Sequence, residues 1–265
     1  MAGALTLACA GDDTGGGSEG STGGASASAS ASASASTSGS ASASASASAS
    51  DSATAGESAG EPCDTPTDHM GDGTYYGADG SGNCSFDPSP GDLMVAAMNA
   101  PDYGNSAPCG ACARVSGPDG EVTVRIVDSC PGCAMGDLDL SPQAFELIAP
   151  LEAGRVDITW HFVPCAVDGP IRYRFKEGSS QWWTGVQVRN HRHAIASLEY
   201  STDGGATFVP VTRESYNYFI APEGMGADPF MIRVTDVYGQ ALVDDGIVVG
   251  DATEVSGAAN FPACG

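Results

Sequence analysis

Basic side chains are scarce in this chain: ten Lys and Arg stand against 33 Asp and Glu, for a formal net charge of −23, and Lys176 is the only lysine. Such a surface repels polyanions, so nucleic acid is excluded as a partner, since binding it requires a concentrated basic face. Seven of the bases, Arg172, Arg174, Lys176, Arg189, Arg192, Arg213 and Arg233, fall in the last hundred residues, which makes the C-terminal part locally less acidic. Long apolar runs are missing too: none late in the chain approaches the roughly 18 residues of a membrane-spanning helix, so the folded part reads as soluble. The four histidines, His69, His161, His191 and His193, are scattered, and neither a metal nor a cofactor is expected.

Large apolar side chains are absent from Ala10 to Gly60, a stretch of Gly, Ser, Ala and Thr dominated by Ala-Ser repeats. Nothing there can offset the entropy of ordering, so residues 10–60 read as a solvated tether, with a reach of roughly 40 Å. Ahead of it, Met1 to Cys9 reads MAGALTLAC, a short apolar run with small residues before a cysteine. This pattern suits the end of a secretory leader with Cys9 as lipid acceptor; the alternative is a leader without lipidation. The expectation is an exported or cell-surface protein that meets the membrane only through a lipid anchor.

The remaining chain suffices for two small domains, residues 61–166 and 167–265. The first is rich in Gly, Pro and Asp, with β-type runs at Val122 to Val127 and Val156 to Phe162 and a helix signal over Ser141 to Ile148, Ser capping and Pro in the first turn. A small β-barrel with one or two helices is expected. After Cys165 come short strands at Ile171 to Phe175, Gly185 to Arg189, Ser197 to Tyr200, Phe208 to Val211, Phe230 to Thr235 and Ile247 to Val249, separated by turns. Their regular spacing indicates an antiparallel sandwich. The connection from Cys165 to Pro170 is short enough that the two domains should pack together. Of nine cysteines, setting Cys9 aside leaves an even set, which in an exported chain implies disulfides. The Cys130-Pro131-Gly132-Cys133 pair reads as a local disulfide bracing a loop rather than as a redox centre.

Four segments in order carry a resemblance: Gly73 to Gly77 (GTYYG), Val127 to Cys133 (VDSCPGC), Leu138 to Phe145 (LDLSPQAF), and Lys176 to Trp183 (KEGSSQWW) followed by Val186 to His191 (VQVRNH). Together they are similar to the expansins, over about Gly73 to Pro262. The resemblance implies a mainly β fold, a six-stranded double-psi β-barrel related to family-45 endoglucanases followed by an immunoglobulin-like carbohydrate-binding sandwich. It also implies loosening of wall polysaccharide without hydrolysis by a monomer, with cellulose or a related β-glucan as partner and peptidoglycan as a further candidate.

The match places Thr74, Tyr76, Asp128 and Asp139 in the cleft of the first domain, with Asp139 as counterpart of the hydrolase general acid. A hydroxyl and two acids can hydrogen-bond sugar hydroxyls, and a protonated acid can donate to a glycosidic oxygen. The plainer readings make Asp139 a helix-approaching residue beside the Ser141 cap and Asp128 a turn former after a strand. Hydrolysis needs a second carboxylate. By register the hydrolases' base falls at Ala78, which accepts no proton, with Asp79 one residue away. Bacterial expansins often carry an aromatic two residues after the cleft aspartate; here Cys130 stands there.

In the second domain the resemblance implies a platform of Trp182, Trp183 and Tyr216 flanked by Lys176. On a regular strand adjacent Trp182 and Trp183 would face opposite ways, but Gly178, Ser179, Ser180 and Gly185 permit irregular backbone. The family pattern further implies Cys84–Cys109 and Cys112–Cys165; with Cys130–Cys133 paired locally, Cys63 is left for Cys264, a bond that would tie the chain's entry to its exit. Two rival functions remain: a glycanase or lytic transglycosylase using Asp139 as acid, and a purely adhesive carbohydrate-binding lipoprotein.

Overall fold

The computed structural model describes residues 67–263. The expected leader, the tether, Cys9, Cys63 and Cys264 lie outside the described residues.

Six strands close into the barrel, β1 (His69–Tyr75), β2 (Val95–Asn99), β3 (Cys112–Ser116), β4 (Glu121–Cys130), β5 (Leu138–Leu140) and β6 (Val156–Val163), in the order β1-β5-β2-β4-β3-β6. Pairs β1–β5 and β2–β4 run parallel and the others antiparallel, which is the interlocked pairing of a double-psi barrel. Strand β4 shows why such a segment becomes a barrel stave: Val122, Val124 and Ile126 are buried while Glu121 and Thr123 are exposed, the period of two that puts one face inside. Strand β2, flanked by β5 and β4, has every residue buried. Trp160, Phe145, Ile126, Leu138, Leu140 and Met98 fill the interior.

Two short helices follow strands. Helix α1 (Ala100–Tyr103) is capped by the Asn99 side chain, which accepts from the Asp102 N–H, and α2 (Pro142–Phe145) by Ser141, which accepts from the Ala144 N–H. The helix expected to run to Ile148 stops at Phe145: the Ile148 N–H reaches back only to the Phe145 carbonyl, and this tighter turn leads Ile148 and Ala149 into the core.

The second domain holds β7 (Arg172–Phe175), β8 (Thr184–Arg189), β9 (Ile195–Ser201), β10 (Val209–Arg213), β11 (Phe219–Ala221), β12 (Phe230–Asp236), β13 (Ala241–Ile247) and β14 (Glu254–Ser256), hydrogen-bonded in the order β13-β12-β9-β10-β11-β8-β7-β14. Strand β10 serves two layers: Val209 to Val211 pair with β9, then Thr212 and Arg213 pair with β11. Such a strand folds a continuous sheet into a sandwich, with Tyr173, Phe175, Phe219, Phe230 and Phe261 between the layers. The strand expected at Ile247 to Val249 instead spans Ala241–Ile247. Asp244 obscures it, since this buried carboxylate points inward to accept the Tyr173 hydroxyl at 2.7 Å.

A dense polar seam joins barrel and sandwich. The Cys84 carbonyl accepts from Gln187 Nε2 at 2.8 Å and from Asn217 Nδ2 at 3.2 Å. The Ser215 carbonyl accepts from Asn83 Nδ2 at 2.9 Å and Tyr103 Oη at 3.1 Å, and Arg189 meets Asp87 at 2.6 Å. His191 sits in the seam with Nδ1 on the His193 carbonyl at 2.7 Å, and so close to Gly110 that a Cβ there would lie 2.5 Å from its Nε2. Three disulfides are present among the described residues: Cys84–Cys109, Cys112–Cys165 and Cys130–Cys133.

Candidate functional site

Strand register builds the cleft. Thr74 of β1 pairs with Asp139 of β5, Asp139 pairs in turn with Ala97 of β2, and Ala97 pairs on its other side with Asp128 of β4. Residues in register across a sheet point to one face, so Thr74, Asp139, Ala97 and Asp128 form a row across four strands. Two strand spacings of about 4.8 Å put the Asp139 and Asp128 backbones about 10 Å apart. Ala97 keeps the floor between them low, while its neighbours Ala96 and Met98 point into the barrel. Sequence reasoning missed Ala97, whose only signal was a small residue inside an apolar run.

Each acid is held differently. The Thr74 hydroxyl donates to Asp139 Oδ1 at 2.6 Å. Asp128 Oδ1 accepts the backbone N–H of Asn83 at 2.7 Å and of Ser129 at 2.8 Å, and Gly82 lies so close that a Cβ would fall 2.4 Å from the Asp128 carboxyl carbon. Tyr76 lies within the field of Asp128, Asp139 and Asp79, and burial first, then those three negative charges, push its hydroxyl well above the usual phenol range. That hydroxyl is buried without a hydrogen-bond partner among the described residues and stays protonated. Asp79 is engaged locally: its Oδ1 accepts the Ser81 hydroxyl at 2.6 Å and N–H at 2.9 Å, bonds that hold its carboxyl below the ordinary range. A carboxylate so stabilised is a poorer base. The Cys130–Cys133 disulfide closes the loop between β4 and β5 at the cleft rim.

The residues expected to form the platform belong to the sandwich. Trp182 and Trp183 lie in the turn before β8, where the Ser180 N–H donates to the Trp183 carbonyl at 2.7 Å. This irregular backbone releases the pair from strand alternation; Trp182 is 74% exposed and Trp183 half-buried. The Trp183 ring lies across Gly185, where a Cβ would come 3.1 Å from its Cη2 and 3.2 Å from the Lys176 Cβ. Lys176 Nζ sits 5.1 Å from the Tyr218 ring centroid and 5.8 Å from that of Tyr216, whose rings are 6.1 Å apart. Gly185, Gln187 and Arg189 alternate along one face of β8, and Gln187 and Arg189 both reach the barrel segment Cys84 to Asp87. Thus the face bearing Trp183 and Lys176 runs into the seam, where Asn83 contacts both the sandwich and Asp128. The contacts of Tyr218 with Lys176 and of Gln187 with the Cys84 carbonyl were not foreseen from sequence, because a contact between distant segments leaves no local pattern.

Comparison with known proteins places this geometry. A family model described as lytic transglycolase matches residues 94–160. Expansin-YoaJ of Bacillus subtilis (strain 168) is 38% identical over 181 residues, covering 66% of this chain and 77% of that protein. Expansin-like protein 5 of Dictyostelium discoideum is 34% identical over 180 residues, covering 64% of this chain and 75% of the relative. The chain belongs to the expansin family. Among solved structures, a mutant of Clavibacter michiganensis expansin in complex with cellohexaose superposes with a TM-score of 0.69 at 34% identity, covering 74% of this chain and all (100%) of that one. The closed barrel and the β-sandwich are therefore an expansin's two domains. Among its described residues no group of three or more His, Cys, Asp or Glu is placed to hold a metal, and no helix is long and apolar enough to cross a membrane.

Proposed function

We propose that this expansin loosens cell-wall polysaccharide without cutting it: the Trp182, Trp183 and Tyr216 row with Lys176 holds a β-glucan by its apolar ring faces, and the cleft of Thr74, Tyr76, Asp128 and Asp139 competes for its hydroxyls. The observation that carries this is the acid without a partner. Asp139 stands beside Thr74, the family resemblance puts the hydrolase base at Ala78, which accepts no proton, and adjacent Asp79 is bound to Ser81 with its basicity lowered. Hydrolysis by the usual two-acid route takes a second carboxyl group free to act as base or nucleophile, and Asp128, the other acid of the row, has its Oδ1 engaged by the Asn83 and Ser129 N–H groups. The cellohexaose carried by the Clavibacter michiganensis relative supports a cellulose-like ligand. Export, with Cys9 lipidated and residues 10–60 as a spacer, would set a monomer at the cell surface; radiolabelled palmitate incorporation that survives Cys9→Ser would dismiss the anchor.

The test measures mechanical weakening of cellulose paper and reducing ends on the same sample. The wild type should weaken paper and release no reducing ends, and Asp139→Asn should lose weakening yet keep binding. The match of residues 94–160 to a lytic transglycolase model favours a second reading, glycan cleavage with Asp139 as acid. New chain ends released by the wild type and absent with Asp139→Asn would establish that reading and end the first.

A further inference from the structure

The surface dips beside Trp182, one ring of the proposed platform. A notch of about 300 Å³ opens on the flank of this ring, lined by Ser180, Gln181, Trp182, Asp228 and Val249. Its walls are fixed. Thr184 Oγ1 donates to the Ser180 carbonyl at 2.9 Å, and the Trp182 N–H donates to Ser180 Oγ at 3.3 Å. Gly224, at φ +75°, backs the turn so tightly that a Cβ would lie 1.9 Å from the Gln181 carbonyl oxygen. Across the notch, Asp228 Oδ1 accepts the Val249 N–H at 2.9 Å. Among the described residues the other Asp228 oxygen and the Gln181 amide have no hydrogen-bond partner.

A carboxylate oxygen, a carboxamide with donor and acceptor, and an indole face form a compact set for a pyranose: adjacent hydroxyls donate to the acid and exchange with the amide, while the neighbouring sugar stacks. A flat crystalline surface would leave such a depression empty, whereas a sugar unit that projects past the last ring would enter it. Asp228 repels a uronate, so the unit is uncharged. We propose that the notch is a subsite for a neutral pyranose with a vicinal diol, gripped by Asp228 and Gln181 beyond the sugar stacked on Trp182. This rests on the glucan-binding role of the row. The pyranose comes either from the next unit of an unbranched β-glucan or from a sugar branching off a substituted one.

The experiment is calorimetric titration of the wild type, Asp228→Asn and Gln181→Ala with two ligands, cellohexaose and a xylose-substituted β-glucan oligosaccharide of equal backbone length. Asp228→Asn keeps the oxygen that holds Val249, and Gln181 is exposed, so both variants should melt as the wild type does. Losing one charged or one neutral hydrogen bond should weaken binding about three- to tenfold. A loss on cellohexaose assigns the notch to the main chain; a loss confined to the substituted oligosaccharide assigns it to the branch. Wild-type affinity in both variants for both ligands overturns the subsite and leaves the platform standing. No binding of either ligand by the wild type removes the platform and the subsite together.

Discussion

Lowering the pH from 7 to 4 should weaken the fold through His191, at the seam between the two domains. Burial pushes its pKa down from 6.5 to about 4; the cations Arg213 and Arg125 and nearby His193 act in the same direction, and the bond to the His193 carbonyl opposes them. The folded protein therefore keeps His191 neutral where the unfolded chain would protonate it. Between about pH 6.5 and 4 the unfolded state binds the extra proton, so stability falls as pH falls: the contribution is whole above the unfolded value and gone at the folded one. A displacement of that size corresponds to roughly 3 kcal/mol, a large share of a domain's total. The assay is urea unfolding followed by tryptophan fluorescence at pH 7, 5.5 and 4, comparing the wild type with His191→Asn, whose amide can still donate to the His193 carbonyl without titrating. Carboxylate titration affects both proteins alike, so their difference isolates His191. The wild type's advantage should shrink by about 3 kcal/mol on going to pH 4. A difference that stays constant across the range would refute the reasoning, because a buried site that charges without cost is not desolvated.

Three further outcomes are expected. Trp182→Ala combined with Trp183→Ala should weaken retention on insoluble cellulose about 30-fold, at about 1 kcal/mol for each ring, while Asp139→Asn binds normally in the same pull-down. Gly185→Ala should lower retention severalfold, since its Cβ would lie 3.1 Å from the Trp183 ring as well as 3.0 Å from Ile220 Cδ1 and push the ring aside; unaltered binding would show that ring position is unimportant. Asn217, at φ 62°, binds the Cys84 carbonyl, so Asn217→Ala should cost about 2 kcal/mol in denaturant titration, from the lost bond and from alanine's poorer tolerance of the left-handed region, and Asn217→Gly, which loses the bond but sheds the Cβ, about half of that.

Some of this was open to reading from the residues alone and some was not, for physical reasons. Runs such as Val122 to Val127 alternate because one side of the strand is wet, and they lie within β4. Strand β2 has no such alternation, since all five of its residues are buried, and β1 hides behind Gly71 and Gly73, chosen for space: a Cβ at Gly71 would fall 2.4 Å from the Gly136 backbone. In β13, Asp244 and Asp245 interrupt the apolar pattern, and the inward place of Asp244 makes sense only with Tyr173 as its partner. The cleft acids and the tryptophan pair were named from short motifs of the family resemblance, whereas Ala97 and the Cys84 carbonyl stand out only through what lies across the sheet or seam. Such contacts are set by register, and register is a property of two strands at once.

The solitary lysine carries a practical consequence. Lys176 is the one side-chain amine in the sequence, and its Nζ lies 5.1 Å from the Tyr218 ring and 5.8 Å from Tyr216. An acylating reagent specific for amines therefore has, besides the chain's α-amino group, a single target, and that target borders the aromatic row. Labelling rate becomes a built-in gauge of occupancy: a saccharide lying over the tyrosines should shield the amine, and the fraction left unmodified, read by intact-mass spectrometry, should follow the binding curve without any engineered probe.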